Sequence, residues 1–209
     1  MLGLLAGTTS ALALLASCRT RRTGERLVFP DPEPRPAMPA SDGYGIVGRA
    51  VADQMPTRFL GPRVALRGPG AARATLVRWW TDHCPFCVGS LPAIEGWRVR
   101  YASRGFATLG VYHPKPPHAV RDADVAAAAQ AIGYHGPVAV DEDWAALHRV
   151  WLDTGQRAAT SVSLLLDRDG VVRFVHPGPE MYPTADPSHE RADRGYREMT
   201  LAIESMLAS

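Results

Sequence analysis

The chain has 209 residues, of which 46% are apolar and 21% are charged, with a formal net charge of +2 at pH 7. This length and composition are typical of one soluble domain with additional terminal segments. The nearly balanced charge gives no electrostatic support for nucleic-acid binding.

The N-terminal segment 1–18, MLGLLAGTTSALALLASC, is an apolar run that is too short to span a bilayer comfortably. It ends in small residues followed by Cys18, and this ending resembles a bacterial lipoprotein signal, in which the cysteine becomes the lipidated first residue. The alternative is an apolar terminus with an incidental cysteine. The resemblance predicts a lipid-anchored protein of the bacterial cell envelope that faces the periplasm.

Residues 19–44 are rich in Pro, Arg and small side chains. Such a segment buries too little apolar surface to offset its chain entropy, so we expect a disordered tether between the anchor and a folded domain over 45–209. If Cys18 is acylated, Cys84 and Cys87 can form only one intrachain disulfide in an oxidising compartment.

From about residue 45 the pattern alternates between strands and helices. The predicted elements are a strand over 73–81, a helix ending before 105, a strand over 106–112, a helix over 124–133, a strand over 137–140, a helix over 144–152, a hairpin over 161–178 and a last helix through 207. Asp122 or Asp124 is expected to cap the second helix, and Asp141 or Asp143 the third. This order predicts the α/β class, with a central mixed β-sheet flanked by helices on both faces.

Two of the three cysteines lie in the stretch WWTDHCPFC, where a buried strand ends and a helix begins. At the start of that helix, Cys84 would lie near the positive end of the helix dipole, which should lower its pKa and make it the nucleophile. Cys87, one turn further on, would resolve the mixed disulfide. Pro85 suits a first helical turn, and Phe86 would form an apolar lip.

Other roles for a CxxC pair fit less well. Zinc would need two more ligands, and no second CxxC is present. Haem attachment requires a histidine directly after the second cysteine, where this chain has Val88. A purely structural disulfide would close a very small loop and stabilise little. The sequence therefore favours redox chemistry at a Cys84–Cys87 disulfide, with no metal and no other cofactor.

These features resemble the thioredoxin-like superfamily, in particular membrane-tethered proteins of the TlpA and redoxin (AhpC/TSA-related) type. The resemblance covers roughly residues 61–207 and rests on WWTDHCPFC, SVSLLLDRDG, VVRFVHPG and Pro92, which matches the helix-kinking proline of thioredoxins. Trp80 matches the family's tryptophan before the site. The resemblance implies a thioredoxin-like fold in which Cys84 attacks and Cys87 resolves.

Four positions depart from the family pattern. Ser90 stands where the family's helix often carries a Glu just before the kink proline. Arg78 stands where thioredoxins have a buried Asp, and it either favours a thiolate at the pair or points to solvent. Ser161, after Thr160, stands where the family has a cis-proline, so we expect a trans peptide there and an altered substrate groove. His83 replaces a common tryptophan and either lowers the thiol pKa or forms an exposed rim. His113 and His176 could lie on the same rim or simply pack in loops.

The sequence thus predicts a membrane-anchored thiol–disulfide oxidoreductase that acts in cell redox homeostasis. Its expected partners are thiols and disulfides of exported proteins, together with an upstream electron donor or acceptor. The motif CPFC does not determine whether the enzyme reduces or oxidises its substrates. The alternatives are a thiol peroxidase of the redoxin type and a non-enzymatic, thioredoxin-like metal-binding module.

Overall fold

The computed structural model describes residues 43–155, 157 and 159–209. The predicted signal segment with Cys18, and the predicted tether as far as residue 42, lie outside the described residues. Across the described part of the chain, none of the helices has the length and apolarity needed to cross a bilayer.

The folded part contains six strands and four α-helices within the described ranges. The strands are β1 (Arg58–Leu60), β2 (Ala74–Trp80), β3 (Phe106–Tyr112), β4 (Val138–Val140), β5 (Ser163–Asp167) and β6 (Val172–His176). The α-helices are α1 (Pro85–Tyr101), α2 (Asp122–Ala131), α3 (Ala145–Val150) and α4 (Glu190–Ala208). Short 3₁₀ helices occupy Gly43–Gly45, Ala52–Gln54, Ala102–Arg104, Leu152–Thr154 and Pro187–His189.

The strands form one mixed sheet in the order β1-β4-β3-β2-β5-β6. The neighbours β2, β3 and β4 are parallel, whereas β1, β5 and β6 run antiparallel to their partners. The two apolar runs of the sequence form the adjacent strands β2 and β3, and every residue of β2 is buried. The predicted α/β class with a mixed sheet is therefore confirmed.

Helices cover both faces of this sheet. One core contains Trp80 together with side chains of α1, α2 and α4, and the other contains Trp79 together with side chains of α3 and of the segment 46–66. Since successive residues of a strand point to opposite faces, Arg78 projects to the same side as Trp80, towards α1. The sheet thus directs one charged side chain into an apolar layer beside the cysteine pair.

Two details of the local predictions were wrong. The three-residue strand β1 was not predicted, because RFL is too short to show a periodic pattern. Neither Asp122 nor Asp124 caps α2, which begins after Arg121 with no side-chain cap. Their carboxylates instead accept hydrogen bonds from Arg58 and Arg121, at 2.5 and 2.7 Å.

The predicted cap of the third helix and the predicted hairpin are both confirmed. The Asp141 carboxylate accepts the backbone N–H groups of Ala146 and Leu147, at 3.0 and 2.8 Å. β5 and β6 pair antiparallel, and their turn places Gly170 at a φ of 74°, a left-handed conformation that favours glycine.

A glycine on α4 sets how closely that helix approaches the sheet. A Cβ added at Gly195 would lie 2.3 Å from Nε2 of the buried His176, whereas one added at Gly96 on α1 would meet nothing within 4 Å. Both glycines lie inside helices, where alanine is favoured by about 0.5–1 kcal/mol. We expect Gly96→Ala to stabilise the protein and Gly195→Ala to destabilise it by about 1–3 kcal/mol, through overpacking. Chemical denaturation measures both changes, and equal stabilisation by the two variants would contradict this packing.

Candidate active site

The two cysteines lie at the junction between β2 and α1. Cys84 is the N-cap residue of α1 in an extended conformation, and Pro85 occupies the first turn, as expected from the sequence. The Cys87 backbone N–H donates to the Cys84 carbonyl at 2.9 Å, which closes the first turn of the helix. Both residues are present as free thiols.

The two thiols differ in accessibility. Cys84 is partly exposed, whereas Cys87 is fully buried within the core that contains Trp80. The Cys87 Sγ lies 3.7 Å from the Ser161 hydroxyl. A substrate sulfur can therefore reach Cys84 but not Cys87.

Arg78 lies beneath the pair. Its side chain is fully buried, so of the two orientations that the sequence left open, the solvent-facing one is excluded. Its Nη1 donates to the Ser161 carbonyl, the Ser163 hydroxyl and the Gly178 carbonyl at 3.1–3.2 Å, and Nη2 donates to the Pro179 carbonyl at 2.6 Å. All four acceptors are neutral, so they solvate the guanidinium without compensating its charge.

The electrostatics of the pair differ from the prediction. A lowered pKa was expected at Cys84, but the hydrogen bond from Cys84 and the nearby charge of Arg78 lower the pKa of Cys87 to about 5, against the opposing effect of burial. The pKa of Cys84 is raised, first by that same hydrogen bond and then by burial. The helix N-terminus does act on Cys84, but the buried cation lies on the side of Cys87. The pair therefore loses one proton easily, and the charge rests on the inner sulfur.

The loop that faces the cysteines contains Thr160 and Ser161, both buried. The peptide bond between them is trans, as expected for a serine at this position. The loop is attached to the sheet because Arg78 binds the Ser161 carbonyl at 3.2 Å. The Thr160 hydroxyl has no hydrogen-bond partner among the described residues.

The weak contact between Ser161 and Cys87 gives a testable prediction. In Ser161→Ala, we expect the ultraviolet titration of the thiolate to move to higher pH by less than about one unit, because one donor to the sulfur is lost while Arg78 remains. Ser103→Ala, in the exposed 3₁₀ helix Ala102–Arg104, is the matched control. A shift to lower pH would contradict the assignment of this hydroxyl as a donor to Cys87.

A groove of about 410 Å³ opens beside Cys84. Its lining is mostly apolar, with Phe86 45% exposed on one side and Lys115 contributing a cationic group. The remaining lining residues are Thr81, His83, Cys84, Pro85, Ala159, Thr160, Ser161 and Pro179. His83 has a side chain that is 85% exposed and lies 3.4 Å from Asp82, so it occupies the rim.

The other sequence-predicted positions lie around this centre. Trp80 is fully buried and meets the Tyr112 ring edge-to-face at 5.0 Å. Pro92 lies inside α1, which continues through it to Tyr101. His113 and His176 are buried rather than on the rim, and burial lowers their pKa values to about 3 and about 4, so both are neutral at physiological pH.

The sequence did not reveal the segment after β6 as part of the site. The Ser90 hydroxyl, on α1, lies 2.9 Å from the Pro179 carbonyl and accepts the Met181 backbone N–H at 3.0 Å. Arg78 binds the same Pro179 carbonyl. The only signal in the sequence was that Ser90 and Arg78 occupy positions where the family has acidic residues. That signal does not identify the Pro179 carbonyl as their common partner.

Comparisons with known proteins give limited similarity. No family model matches the chain. The chain is 28% identical over 118 residues to the DipZ proteins of Mycobacterium bovis and Mycobacterium tuberculosis, a match that covers 56% of this chain but only 16% of each relative.

Solved structures of similar topology are more distant in sequence. A secreted disulfide oxidoreductase of Mycobacterium tuberculosis, homologous to Escherichia coli DsbE, is 12% identical with a TM-score of 0.43 over 61% of this chain and 83% of its own. The thioredoxin domain of a Bacteroides vulgatus thiol-disulfide oxidoreductase is 17% identical with a TM-score of 0.49 over 74% of this chain and 96% of its own.

The strand order of this chain and the position of its cysteine pair define its fold. Its central strands β2, β3 and β4 are parallel, the hairpin β5–β6 extends the sheet antiparallel to β2, and helices cover both faces. The CxxC pair lies between β2 and the helix that follows it. This strand order, with the cysteine pair at the end of β2, is that of a thioredoxin-like fold.

Proposed function

We propose that the protein is a thiol–disulfide oxidoreductase that uses Cys84 and Cys87 as its redox couple. The observation that carries the proposal is the pairing of an accessible thiol with a buried one that lies beside the cation of Arg78, at the start of α1 and next to an open groove. A pair that served only as a structural staple would need neither an easily ionised thiol nor a groove.

The pair can attack and release a substrate in two steps. In the reducing direction, the proton of Cys84 passes to the neighbouring Cys87 thiolate, and the Cys84 sulfur attacks a substrate disulfide. One substrate sulfur leaves as a thiolate, which takes a proton from solvent, and the other stays bound to Cys84 in a mixed disulfide. Cys87 then attacks Cys84 Sγ, its deprotonation favoured by Arg78, to form the Cys84–Cys87 disulfide. The proton of Cys87 passes to the second substrate sulfur, which is released as a thiol.

The groove suggests the kind of substrate. Its apolar lining around Phe86, beside the loop of Thr160 and Ser161, suits an extended polypeptide that carries a cysteine next to apolar side chains. Lys115 would favour an acidic residue near that cysteine. The proposed substrates are therefore cysteines of other proteins, in extended or unfolded segments.

The proposed location is the cell envelope, with a lipid on Cys18 and the tether between the anchor and the domain. The ending Ala16-Ser17-Cys18 after an apolar run supports this proposal. Metabolic labelling with a radioactive fatty acid tests it. We expect label in the wild type and none in Cys18→Ala, and an unlabelled wild type would contradict the anchor.

Activity separates the proposed function from its two alternatives. Incubation with a disulfide-bonded model peptide and a chemical reductant should give turnover that depends on Cys84, whereas hydrogen peroxide should be consumed no faster than by a simple dithiol. Rapid peroxide consumption would favour the peroxidase. Stoichiometric retention of zinc with no peptide turnover would favour the metal-binding module. Among the described residues, no group of three or more His, Cys, Asp or Glu side chains is placed to hold a metal ion.

A further inference from the structure

A buried arginine without an anionic partner is costly. Moving an ion out of water costs several kcal/mol even after relaxation, and hydrogen bonds to neutral groups recover only part of that cost. Arg78 is fully buried, and within the described residues its hydrogen bonds go to three carbonyls and one hydroxyl. Within the described residues no carboxylate forms an ion pair with it, and its Nε has no hydrogen-bond partner.

The groups that can supply a negative charge here are the two thiols. Cys87 and Cys84 are the neighbours whose charge favours the protonated guanidinium. Ser161 lies between the cation and the inner thiol: its carbonyl accepts from Arg78 at 3.2 Å, and its hydroxyl lies 3.7 Å from the Cys87 Sγ. A thiolate at this pair compensates the buried cation. A Cys84–Cys87 disulfide has no charge and leaves the cation uncompensated.

The other titratable groups around the pair do not change this balance. His176 on β6 and His113 after β3 lie close enough to feel the charge of Arg78, and both are neutral above about pH 5 because their pKa values are lowered to about 4 and about 3, chiefly by burial. Lys115, on the groove wall, adds a second positive charge outside the core. Asp82 and His83 pair with each other on the rim.

We propose that Arg78 is the fixed counter-ion of the reduced cysteine pair, and that this charge pairing makes the protein a donor of disulfides to substrate dithiols rather than a reductase. The inference rests on the proposed function, since it concerns the same couple. It follows because whatever stabilises the reduced form of a couple makes its oxidised form the stronger oxidant. Arg78 stands where thioredoxins have a buried Asp. Its positive charge opposes oxidation of the cysteine pair, because oxidation removes the negative charge that compensates it.

The reaction balances with a single proton released. A substrate dithiol gives two electrons to the Cys84–Cys87 disulfide and becomes a disulfide itself. Of its two thiol protons, one ends on Cys84 and the other leaves to solvent, because Cys87 remains a thiolate beside Arg78. A pair without this counter-ion would keep both protons.

The released proton gives a direct test in glutathione buffers. The protein used is the full chain carrying Cys18→Ser, so that Cys84 and Cys87 are the remaining thiols. The constant measured is [reduced protein][GSSG]/([oxidised protein][GSH]²). Between about pH 6 and 7.5, where glutathione stays protonated, we expect it to rise tenfold per pH unit, because one proton is released on reduction. The couple should also be more oxidising than thioredoxin in the same buffers.

Substitution of Arg78 should remove this behaviour. In Arg78→Met we expect the pH dependence between about pH 6 and 7.5 to disappear and the constant at pH 7 to fall about 100-fold, which corresponds to about 60 mV. Arg78→Lys keeps the charge and should retain the slope. Arg191→Met, an exposed arginine on α4, is the matched control and should behave as the wild type. If Arg78 had only a structural role, its replacement would destabilise the oxidised and reduced forms alike. The pH dependence of the constant would then be unchanged.

The outcomes separate the two proposals. A reversible couple whose constant does not vary with pH, one that is more reducing than thioredoxin, or one unchanged by Arg78→Met would overturn the counter-ion while leaving the oxidoreductase intact. A pair that never forms a reversible disulfide would remove the proposed function itself. Should Arg78→Met fail to fold, the slope of the wild type and that of Arg78→Lys still decide.

Discussion

Replacement of Cys84 with serine is expected to reduce disulfide exchange by a factor of about a thousand or more, because a serine hydroxyl is not ionised at neutral pH and forms no bond to a substrate sulfur. Cys84 is the sulfur of the pair that reaches the groove, so Cys87 cannot substitute for it. Turnover of a disulfide-bonded model peptide measures the loss.

The matched control for this variant is Val99→Ser, which also places a serine on α1, at a position that is 66% exposed. Its turnover should equal that of the wild type. Substantial exchange by Cys84→Ser would show that Cys87 is accessible after all, and the assignment of the two roles would then be wrong.

Replacement of Cys87 with serine is expected to arrest the reaction at the mixed disulfide. Cys84 keeps its exposure and its place at the N-terminus of α1, so it can still form the first bond to a substrate, but the serine cannot displace that substrate. The smaller serine fits the site of Cys87 beside the Ser161 hydroxyl, so the packing should change little. Mass spectrometry under non-reducing conditions should show a covalent adduct that accumulates to about one equivalent.

The adduct should be absent from the double variant Cys84→Ser/Cys87→Ser, which tests that it is formed on Cys84. Release of product by Cys87→Ser at the rate of the wild type would contradict the resolving role of Cys87. An adduct on neither cysteine would instead place the reactive group elsewhere.

The fold was largely accessible from the sequence because long apolar runs mark buried strands. The apolar runs that form β2 and β3 are typical of strands buried at the centre of a sheet. Asp169-Gly170 is a strong hairpin signal. The short strand β1 was missed since three residues show no periodicity. The caps of α2 were wrong because Asp122 and Asp124 bind the arginines Arg58 and Arg121, and such partners are not visible in the local sequence.

The residues of the site could be predicted from the sequence, but the pKa values of its two thiols could not. CPFC at the end of an apolar run identified the two thiols and the proline of the first turn. Strand alternation could have placed Arg78 on the same face as Trp80, but only the folded arrangement brings the carbonyls of Gly178 and Pro179 to it from 100 residues away. The lowered pKa of Cys87 follows from that long-range packing, whereas helix-dipole reasoning alone pointed to Cys84.

The most direct test of the redox couple is to oxidise and re-reduce the Cys18→Ser chain, with free thiols trapped at each stage and the disulfide mapped by mass spectrometry. We predict that two electrons per chain are exchanged reversibly, with both trapped thiols of the reduced form at Cys84 and Cys87 and one disulfide between them in the oxidised form. Thiols that stay free under oxidising glutathione, or a disulfide that forms only between chains, would contradict the proposed function.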